Sequence, residues 1–358
     1  MGISSIEVVY RGVLQMLLGR KICRGTVLAA RRGNKTGFTF GRYGDSPERI
    51  GIPAKHFAVI GDSIEELQPF MTPYELANND VTVVVDDTIC KGVESWGWHG
   101  LQPINRLTKP GGTLLILSQM SPEDLLRVIP AKGIEYNLAV IKGSPVWSSM
   151  WRFEDDTDAR ILGAIAKIAP HIIGLDSAEQ VITEEWEQKD KTGLARQAYG
   201  EVQVRKVSAD EGIKQPVPET KLPPWQKMAE ALVVPAVPSG KVVKEGPYQA
   251  ERNPHYKSLS TRTNRPVMDF SRCRKCHLCW LHCPEGVLDI TPDGFYNIDF
   301  EYCNGCGICA SICPVEDCIV MVSEQRFADN ESQWETWQKD NKTYADWVKD
   351  MKSRVPSR

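Results

Sequence analysis

Two runs of cysteine near the C-terminus contain the residues whose types and spacing indicate chemistry. In each run three cysteines are separated by two residues each, and a fourth follows after three more residues and directly precedes a proline. Three thiolates at this spacing in a tight loop hold three corners of one iron–sulfur cubane, whereas the fourth reaches across to a second cubane. The sequence therefore predicts two 4Fe–4S clusters.

The exchange of the fourth cysteine decides which thiolates belong to which cluster. Cluster 1 is expected to use three cysteines of the first run and the last of the second, namely Cys273, Cys276, Cys279 and Cys313. Cluster 2 is expected to use the complementary set, namely Cys303, Cys306, Cys309 and Cys283. The two runs form an internal repeat. Between them, Pro-Asp-Gly at 292–294 predicts the turn of a short hairpin made by residues 287–290 and 296–298.

Other uses of these cysteines fit the spacing less well. Soft thiolates also select zinc, but zinc sites draw four ligands from paired knuckles, and two runs of four with trailing prolines do not match them. Cys273, Cys276 and His277 match a c-type haem attachment sequence, although haem would leave Cys279 unused. Cys318 lies outside the repeat, and we expect it to be a small core residue rather than a ligand.

Composition excludes several classes of protein. Nine of the eleven cysteines lie between Cys273 and Cys318, and neither this bunching nor the odd count suits a disulfide framework. No apolar run approaches the roughly 20 residues of a membrane span, and the N-terminal residues do not form a secretory signal. The net charge of −3 gives no reason to expect nucleic acid or an anionic membrane. We expect a cytoplasmic protein that binds neither.

The 358 residues exceed the usual size of one domain, so several folded units are expected to position the cysteines. Residues 1–207 alternate short apolar runs with helical patterns, which predicts an α/β domain with an open, mostly parallel sheet buried on both faces. The predicted strands are 6–10, 56–60, 81–86, 113–117 and 138–141. The predicted helices are 12–31, 121–129, 159–169 and 177–186, the last capped by Ser177.

The remainder of the chain divides into three segments. Residues 208–262 are rich in proline and predict an irregular linker that wraps a surface. Residues 263–325 form a small α+β domain with the two-cluster ferredoxin pattern, in which 319–322 is a further strand. Residues 326–358 predict a helical tail with aromatic side chains on one face, and that face is expected to pack on another domain or subunit. These side chains are Trp334, Trp337, Tyr344 and Trp347.

Particular motifs make the chain resemble a known enzyme family. RYGDSPERIGIP at 42–53, VVVDDT at 83–88, Pro-Gly-Gly at 110–112 and LGAIAK at 162–167 resemble, in this order, gamma subunits of 2-oxoacid:ferredoxin oxidoreductases. Residues 266–323, including Trp280 after a third cysteine, look like the delta subunit of the same enzymes. The chain is therefore identified as resembling a gamma–delta fusion, and the resemblance covers about three quarters of it.

The resemblance implies an enzyme complex in which this chain alone is not catalytic. Partner alpha- and beta-type subunits would carry thiamine diphosphate with magnesium, cleave a 2-oxoacid and pass two electrons through the clusters to external ferredoxin, and the complex would dimerise. No catalytic residue is assigned here. Arg42 and Arg49 are candidates to contact substrate or a neighbouring chain, or else are surface or ion-paired arginines. The alternative from another class is a free-standing two-cluster electron carrier or adaptor.

The chain departs from the family in one loop. Gamma domains begin with a strand-to-helix loop of the form G-x-G-G-Q-G, and here residues 10–15 keep only Gly12. Glycines let backbone N–H groups approach an anion at a helix N-terminus, and Val13 and Leu14 would block that approach. We therefore expect oxidation without coenzyme A, as in oxalate oxidoreductase within this family, and favour oxalate as substrate. The alternative is a coenzyme-A-dependent oxidoreductase of pyruvate or another 2-oxoacid.

Overall fold

The computed structural model describes residues 2–13, 15–42, 51–71, 76, 78–94, 101–143, 156–214 and 258–353. The chain forms two compact units, of which one comprises residues 1–96 with 101–218 and the other comprises 97–100 with 219–358. In the described parts of the chain, no helix has the length and apolar character that crossing a bilayer requires.

A seven-stranded sheet organises the N-terminal unit, in the order β2-β3-β1-β4-β7-β8-β9. The four central strands β1, β4, β7 and β8 are parallel neighbours, whereas β2, β3 and β9 pair antiparallel at the two sides. The expected open, mostly parallel sheet is confirmed. Its strands are β1 (Ser4–Arg11), β2 (Thr36–Arg42), β3 (Pro53–Gly61), β4 (Asn79–Val84), β7 (Thr108–Ser118), β8 (Tyr136–Lys142) and β9 (Gln203–Val207), and a separate two-stranded ribbon holds β5 (Val93–Glu94) and β6 (Leu101–Gln102).

Both faces of the sheet are buried, which is why the central strands are continuous apolar runs. Alternate residues point to opposite sides: Ile6 and Val8 of β1 join one hydrophobic core, and Val9 joins the other. The first core is covered by helices and the second mainly by short segments around Ile89 and Ile129. The helices of this unit are α1 (Met16–Arg32), α2 (Ile64–Leu67), α3 (Pro122–Leu125), α4 (Thr157–Ile168), α5 (Leu175–Gln180) and α6 (Thr192–Glu201).

Two helix predictions differ from the structure at their ends. The helix expected at 121–129 is only the four residues of α3, although Ser121 caps it by accepting a hydrogen bond from the Asp124 N–H at 3.2 Å. Ser177 is not a cap, because α5 begins at Leu175 after Gly174 and continues as a π-helical turn. An extended Gly174 supplies the entry into the helix without a capping side chain, so the cap preference of serine misplaced the start.

Within the described residues, the C-terminal unit contains two short antiparallel strand pairs and four α-helices. The expected hairpin pairs β11 (Leu288–Ile290) with β12 (Tyr296–Ile298), and Gly294 at the turn has φ 79°. The expected strand at 319–322 is β13 (Ile319–Ser323), which pairs with β10 (Asn264–Met268). The helices are α7 (Leu278–Leu281), α8 (Ile308–Ile312), α9 (Gln333–Lys339) and α10 (Asn341–Ser353).

The aromatic tail packs on the cysteine-bearing part of its own unit. The Trp337 ring lies 5.2 Å from the Phe270 ring, and the buried Tyr344 hydroxyl donates to the main-chain oxygen of Met268 at 2.8 Å. Gln333 extends the edge of β10, since its side chain accepts from Met268 N and donates to Pro266 O, each at 3.0 Å. The tail therefore contributes to the same hydrophobic core as the cysteines.

Close helix packing in the N-terminal unit depends on Gly163 of α4. A Cβ at this position would lie 2.0 Å from the carbonyl oxygen of Ala195 in α6, and backbone cannot move aside as a side chain can. We expect Gly163→Ala to lower the free energy of unfolding by about 1–3 kcal/mol or more. In Gly200→Ala, the matched control in α6, the new methyl group meets no atom within 4 Å, and a gain of about 0.5–1 kcal/mol is expected. Thermal unfolding followed by circular dichroism measures both; equal effects would contradict this packing.

Candidate metal centre

The two cysteine loops share one backbone conformation. Lys275 and His277 in the first loop have φ 55° and 62°, and Gly305 and Gly307 at the equivalent positions of the second have φ 72° and 78°. Two left-handed residues between the cysteines curl each loop, so that successive thiols turn towards a common centre. Glycine adopts this conformation without strain, whereas other residues rarely do.

A local contact holds the first loop in this strained form. The His277 N–H donates to the hydroxyl of Tyr296 at 2.7 Å, and the same hydroxyl lies 3.1 Å from His277 Nδ1. Tyr296 belongs to β12 and is buried. The hairpin between the two runs therefore positions the cysteines of the first run.

The structure brings together the cysteines predicted for cluster 1. Burial raises the pKa of the Cys279 thiol to about 12, and the charges of Cys273, Cys276 and Cys313 act on it in the same direction. The last of these comes from the second run, as the spacing requires.

The cysteines predicted for cluster 2 converge in the same way. Cys283, Cys303, Cys306 and Cys309 line one cavity. Burial raises the pKa of the Cys309 thiol, and the charges of the other three raise it further. Cys279 also acts on Cys309, so the two sites are neighbours.

The donor set and its surroundings fit a cubane at each site. The described residues contain no group of three or more His, Cys, Asp or Glu side chains close enough to hold one metal ion. In a cubane each thiolate binds a different iron, so its four ligands surround a volume rather than a point. The wall of the cluster 2 cavity is largely apolar and includes Pro266, Val287, Leu288 and Ile298. Such a wall limits water around a cluster, which is one of the factors that set its potential.

Individual cysteines differ in the hydrogen bonds that they accept from backbone N–H groups and in their exposure to solvent. The Lys275 N–H donates to Cys273 Sγ at 3.4 Å, a hydrogen bond of the kind that tunes iron–sulfur clusters. Cys276 and Cys306, the second cysteine of each run, are exposed. Each site therefore has one corner that faces solvent.

Cys318 lies beside the cluster 1 set. It is buried in the core, as expected, and its Sγ donates to the main-chain oxygen of Asp269 at 3.6 Å. Hydrogen bonding with Cys273 and burial both raise its pKa, and Cys313 is a further hydrogen-bonding neighbour. This proximity could not be predicted from the sequence, because the contact forms only when β13 pairs with β10.

A buried charge cluster was not anticipated from the sequence. Arg262 and Arg265 both bind the carboxylate of Glu324, with the closest nitrogen–oxygen distance 2.7 Å in each pair. Arg262 precedes β10, Arg265 lies within it and Glu324 follows β13. The sequence assigns Arg262 to the linker segment, where an arginine is ordinarily solvated.

In the N-terminal unit, the strand-to-helix loop that departs from the family pattern is held tightly. Val13 has φ 65°, a left-handed conformation that normally favours glycine. The preceding Arg11 is buried, donates to Thr88 Oγ1 and Gly51 O, and pairs with Asp86 at 3.4 Å. Leu14 lies outside the described residues.

The two candidate arginines are placed only in part. Arg42 is the last residue of β2, is half-buried and lies opposite Lys55 of β3. Arg49 lies outside the described residues. The roles of both arginines therefore stay predictions.

Two loops of matching conformation, eight converging thiols and a small antiparallel scaffold define a two-cluster iron–sulfur protein of the ferredoxin type. A family described as a 4Fe-4S dicluster domain matches residues 267–321. Pyruvate synthase subunit PorD of Methanocaldococcus jannaschii is 41% identical over 70 residues, which are 20% of this chain and 80% of that protein. PorD of Methanothermobacter marburgensis is 44% identical over 77 residues, or 22% of this chain and 85% of that protein.

The chain belongs to the family of iron–sulfur subunits of 2-oxoacid:ferredoxin oxidoreductases, which confirms the resemblance of its dicluster part to the delta subunit. It is an electron-transfer subunit of a multisubunit enzyme, and its cofactors are 4Fe–4S clusters; thiamine diphosphate belongs to partner subunits in this family. A solved structure of pyruvate oxidoreductase subunit PORC from Thermotoga maritima covers 57% of this chain and 99% of its own, with 20% identity and a TM-score of 0.40.

Iron content tests the number of clusters. Because the eight converging thiols can hold two cubanes, anaerobically prepared protein is expected to contain about eight irons with matching acid-labile sulfide. Elemental and sulfide analysis measures this. Zinc without sulfide would contradict it.

Selective loss tests the exchange of the fourth cysteine. Cys283→Ser is expected to damage the cluster held by the second run rather than the first, since Cys283 lines the cavity with Cys303, Cys306 and Cys309. Mössbauer and electron paramagnetic resonance spectra distinguish one remaining cluster from two. The control is Cys318→Ala, which is expected to keep both clusters; loss of a cluster in this control would make Cys318 a ligand.

Proposed function

We propose that the chain is a gamma–delta fused subunit that receives the electrons of 2-oxoacid oxidation and delivers them to external ferredoxin in the cytoplasm. The oxidation takes place on alpha- and beta-type partner subunits that bind thiamine diphosphate and magnesium, in a complex that dimerises. The observation that carries this proposal is the convergence of eight thiols in two sets that exchange their fourth member. This arrangement suits electron transfer rather than the binding of one metal ion.

The proposed ligands are Cys273, Cys276, Cys279 and Cys313 for cluster 1, and Cys303, Cys306, Cys309 and Cys283 for cluster 2. Each cubane, when bound, takes up and releases one electron at a time. The residues of this chain fix the position of the clusters and exclude water from one side of cluster 2. Cys279 of the cluster 1 set acts electrostatically on Cys309 of the cluster 2 set, and this proximity favours a short electron-transfer path between the clusters.

The strand-to-helix loop supports a reaction without coenzyme A. A side chain in the left-handed region costs about 1–2 kcal/mol, and Val13 puts a bulky apolar side chain into this loop at a backbone conformation that suits glycine. The nearby guanidinium of Arg11 is engaged by Asp86, Thr88 and the carbonyl of Gly51. A phosphate would therefore meet an apolar side chain and a cation that is already neutralised. This favours oxalate as the substrate.

The second candidate is a coenzyme-A-dependent oxidoreductase of pyruvate or another 2-oxoacid. The names of the matching relatives favour it, since two are subunits of pyruvate synthase. Those relatives match only the dicluster part of the chain, which carries electrons and not the 2-oxoacid. In this case coenzyme A would bind elsewhere in the complex.

Steady-state assays of the whole complex decide between the two candidates. Oxalate, pyruvate and 2-oxoglutarate are each supplied with and without coenzyme A, and reduction of a low-potential acceptor is measured. We expect oxalate to be oxidised at a rate that does not change when coenzyme A is omitted, because Val13 and Leu14 put bulky apolar side chains into the loop whose N–H groups would bind a phosphate. A strict requirement for coenzyme A with pyruvate would overturn both the oxalate proposal and the interpretation of the loop.

The isolated chain tests the division of labour between subunits. With both clusters present it is expected to accept electrons from dithionite but to show no turnover with any 2-oxoacid and a dye acceptor, because the thiamine site belongs to partner subunits. Spectrophotometric dye reduction measures this, and addition of the partner subunits should restore turnover. A monodisperse chain that co-purifies with no partner would favour the free-standing electron carrier instead.

A further inference from the structure

We propose that the buried cluster of Arg262, Arg265 and Glu324 raises the reduction potential of cluster 2 above that of cluster 1, so that a singly reduced chain holds its electron on cluster 2. This inference rests on the proposed function, because it uses the ligand sets assigned there. We call these three residues the Arg–Glu–Arg cluster.

The Arg–Glu–Arg cluster places two positive charges around one negative charge. Arg262 donates from Nε and Nη2 to the two carboxylate oxygens of Glu324 at 2.7 and 2.9 Å, and Arg265 donates to the same oxygens at 3.1 and 2.7 Å. The three side chains are only 0–3% exposed. Arginine does not lose its proton in proteins, so the three groups together carry one net positive charge.

Neutral acceptors also receive hydrogen bonds from the two guanidinium groups. Asn330 Oδ1 accepts from Arg262 at 2.9 Å and from Arg265 at 2.8 Å, and the main-chain oxygen of Asp329 accepts from Arg265 at 2.7 Å. The carboxylate of Asp329 acts on Arg265 at longer range. Phe300 and Phe327 lie against the Arg265 guanidinium, with ring centroids at 4.6 and 4.3 Å. The charge is thus held away from water.

Arg262 connects this charge to cluster 2. Its Nη1 donates to the main-chain oxygen of Cys303, a proposed ligand, at 3.0 Å and also to that of Phe300. Among the interactions acting on the Cys303 thiol is the positive charge of Arg262. A charge bound to the ligand residue itself lies close to the cubane that this residue would hold.

Cluster 1 lacks an equivalent buried charge in the described part of the C-terminal unit, where the fully buried arginines are Arg262 and Arg265. The cation that acts on the cluster 1 cysteine Cys273 is Lys275, which is exposed. Lys352 is balanced by Asp269 at 2.7 Å. Solvent screens exposed charges far more than buried ones, so the repeat is symmetric in its ligands and asymmetric in its electrostatics.

This electrostatic asymmetry determines which cluster would hold the first electron. An added electron makes a cluster more negative, and a nearby positive charge in a medium of low dielectric constant stabilises that state. If both clusters are bound as proposed, an electron leaving reduced cluster 1 would be the electron that oxidised cluster 2 gains, so the total charge would not change. Two electrons from one 2-oxoacid would fill both clusters, and the second electron would occupy cluster 1.

The test is a dithionite titration of the full complex, monitored by electron paramagnetic resonance, in which the midpoints of both clusters are measured. Arg265→Met removes one positive charge without touching the hydrogen bonds to Cys303, and the midpoint of cluster 2 is expected to fall. Glu324→Gln removes the negative charge, and the same midpoint is expected to rise. The midpoint of cluster 1 should move much less in both.

Controls separate charge from structural damage. Arg265→Lys keeps the charge and is expected to keep the cluster 2 midpoint even where stability falls. Lys349→Met removes a charge of the same sign from the exposed pair with Asp346 and is expected to shift neither midpoint. If Arg265→Met fails to fold, the other two variants still separate charge from packing. A charge effect raises the cluster 2 midpoint in Glu324→Gln and leaves it unchanged in Arg265→Lys, whereas a packing effect is expected to give the opposite pattern.

Several outcomes would overturn the inference. Shifts of the same sign in Arg265→Met and Glu324→Gln, equal shifts of both clusters, or a wild-type midpoint of cluster 2 below that of cluster 1 would each do so. Failure of the proposed function looks different, because wild-type protein would then lack eight irons and the two cluster signals. Iron and sulfide are therefore measured on each sample.

Discussion

In the proposed ligand sets each cubane takes one thiolate from the opposite cysteine run, and this is the constraint on which the C-terminal unit would depend. With these sets neither run completes a site alone, so the two halves of the repeat would have to fold against each other before either cluster is held. The pairing of β10 with β13 and the β11–β12 hairpin provide that closure. Tyr296 shows the coupling most directly, because a residue of the hairpin fixes the left-handed His277 within the first loop.

A domain this small has little apolar surface to bury, and it gains stability from its neighbours in sequence. The tail supplies aromatic rings around Phe270, and Gln333 and Tyr344 bind the backbone of β10. The Arg–Glu–Arg cluster joins Arg262, which precedes β10, and Arg265, which lies within β10, to Glu324 after β13. A buried ion pair is weak evidence for stability, whereas the hydrogen bond from Arg262 to the main-chain oxygen of Cys303 supports the proposed role in electron transfer.

The N-terminal unit shows how one fold serves different chemistry. The sheet and its helices give a strand-to-helix loop at the end of β1, a position where related folds bind anions. Here Val13 has the left-handed backbone conformation, and the guanidinium of Arg11 already binds partners within the unit. The left-handed backbone at Val13 carries an apolar side chain instead of a glycine, so the fold alone does not establish what this loop binds.

The sequence by itself determined the cluster type, the expected ligand sets and the central strands, because cysteine spacing and continuous apolar runs are local signals. It missed β2 and β9, which lie at the edges of the sheet, where partly exposed residues such as Arg42 and Val204 weaken the apolar pattern. Only the tertiary structure decided the environment of Cys318 and the charge cluster around Glu324. Those contacts join residues about 50 to 60 positions apart. From the sequence alone an arginine is expected to be solvated, and only the fold shows that water is excluded from it.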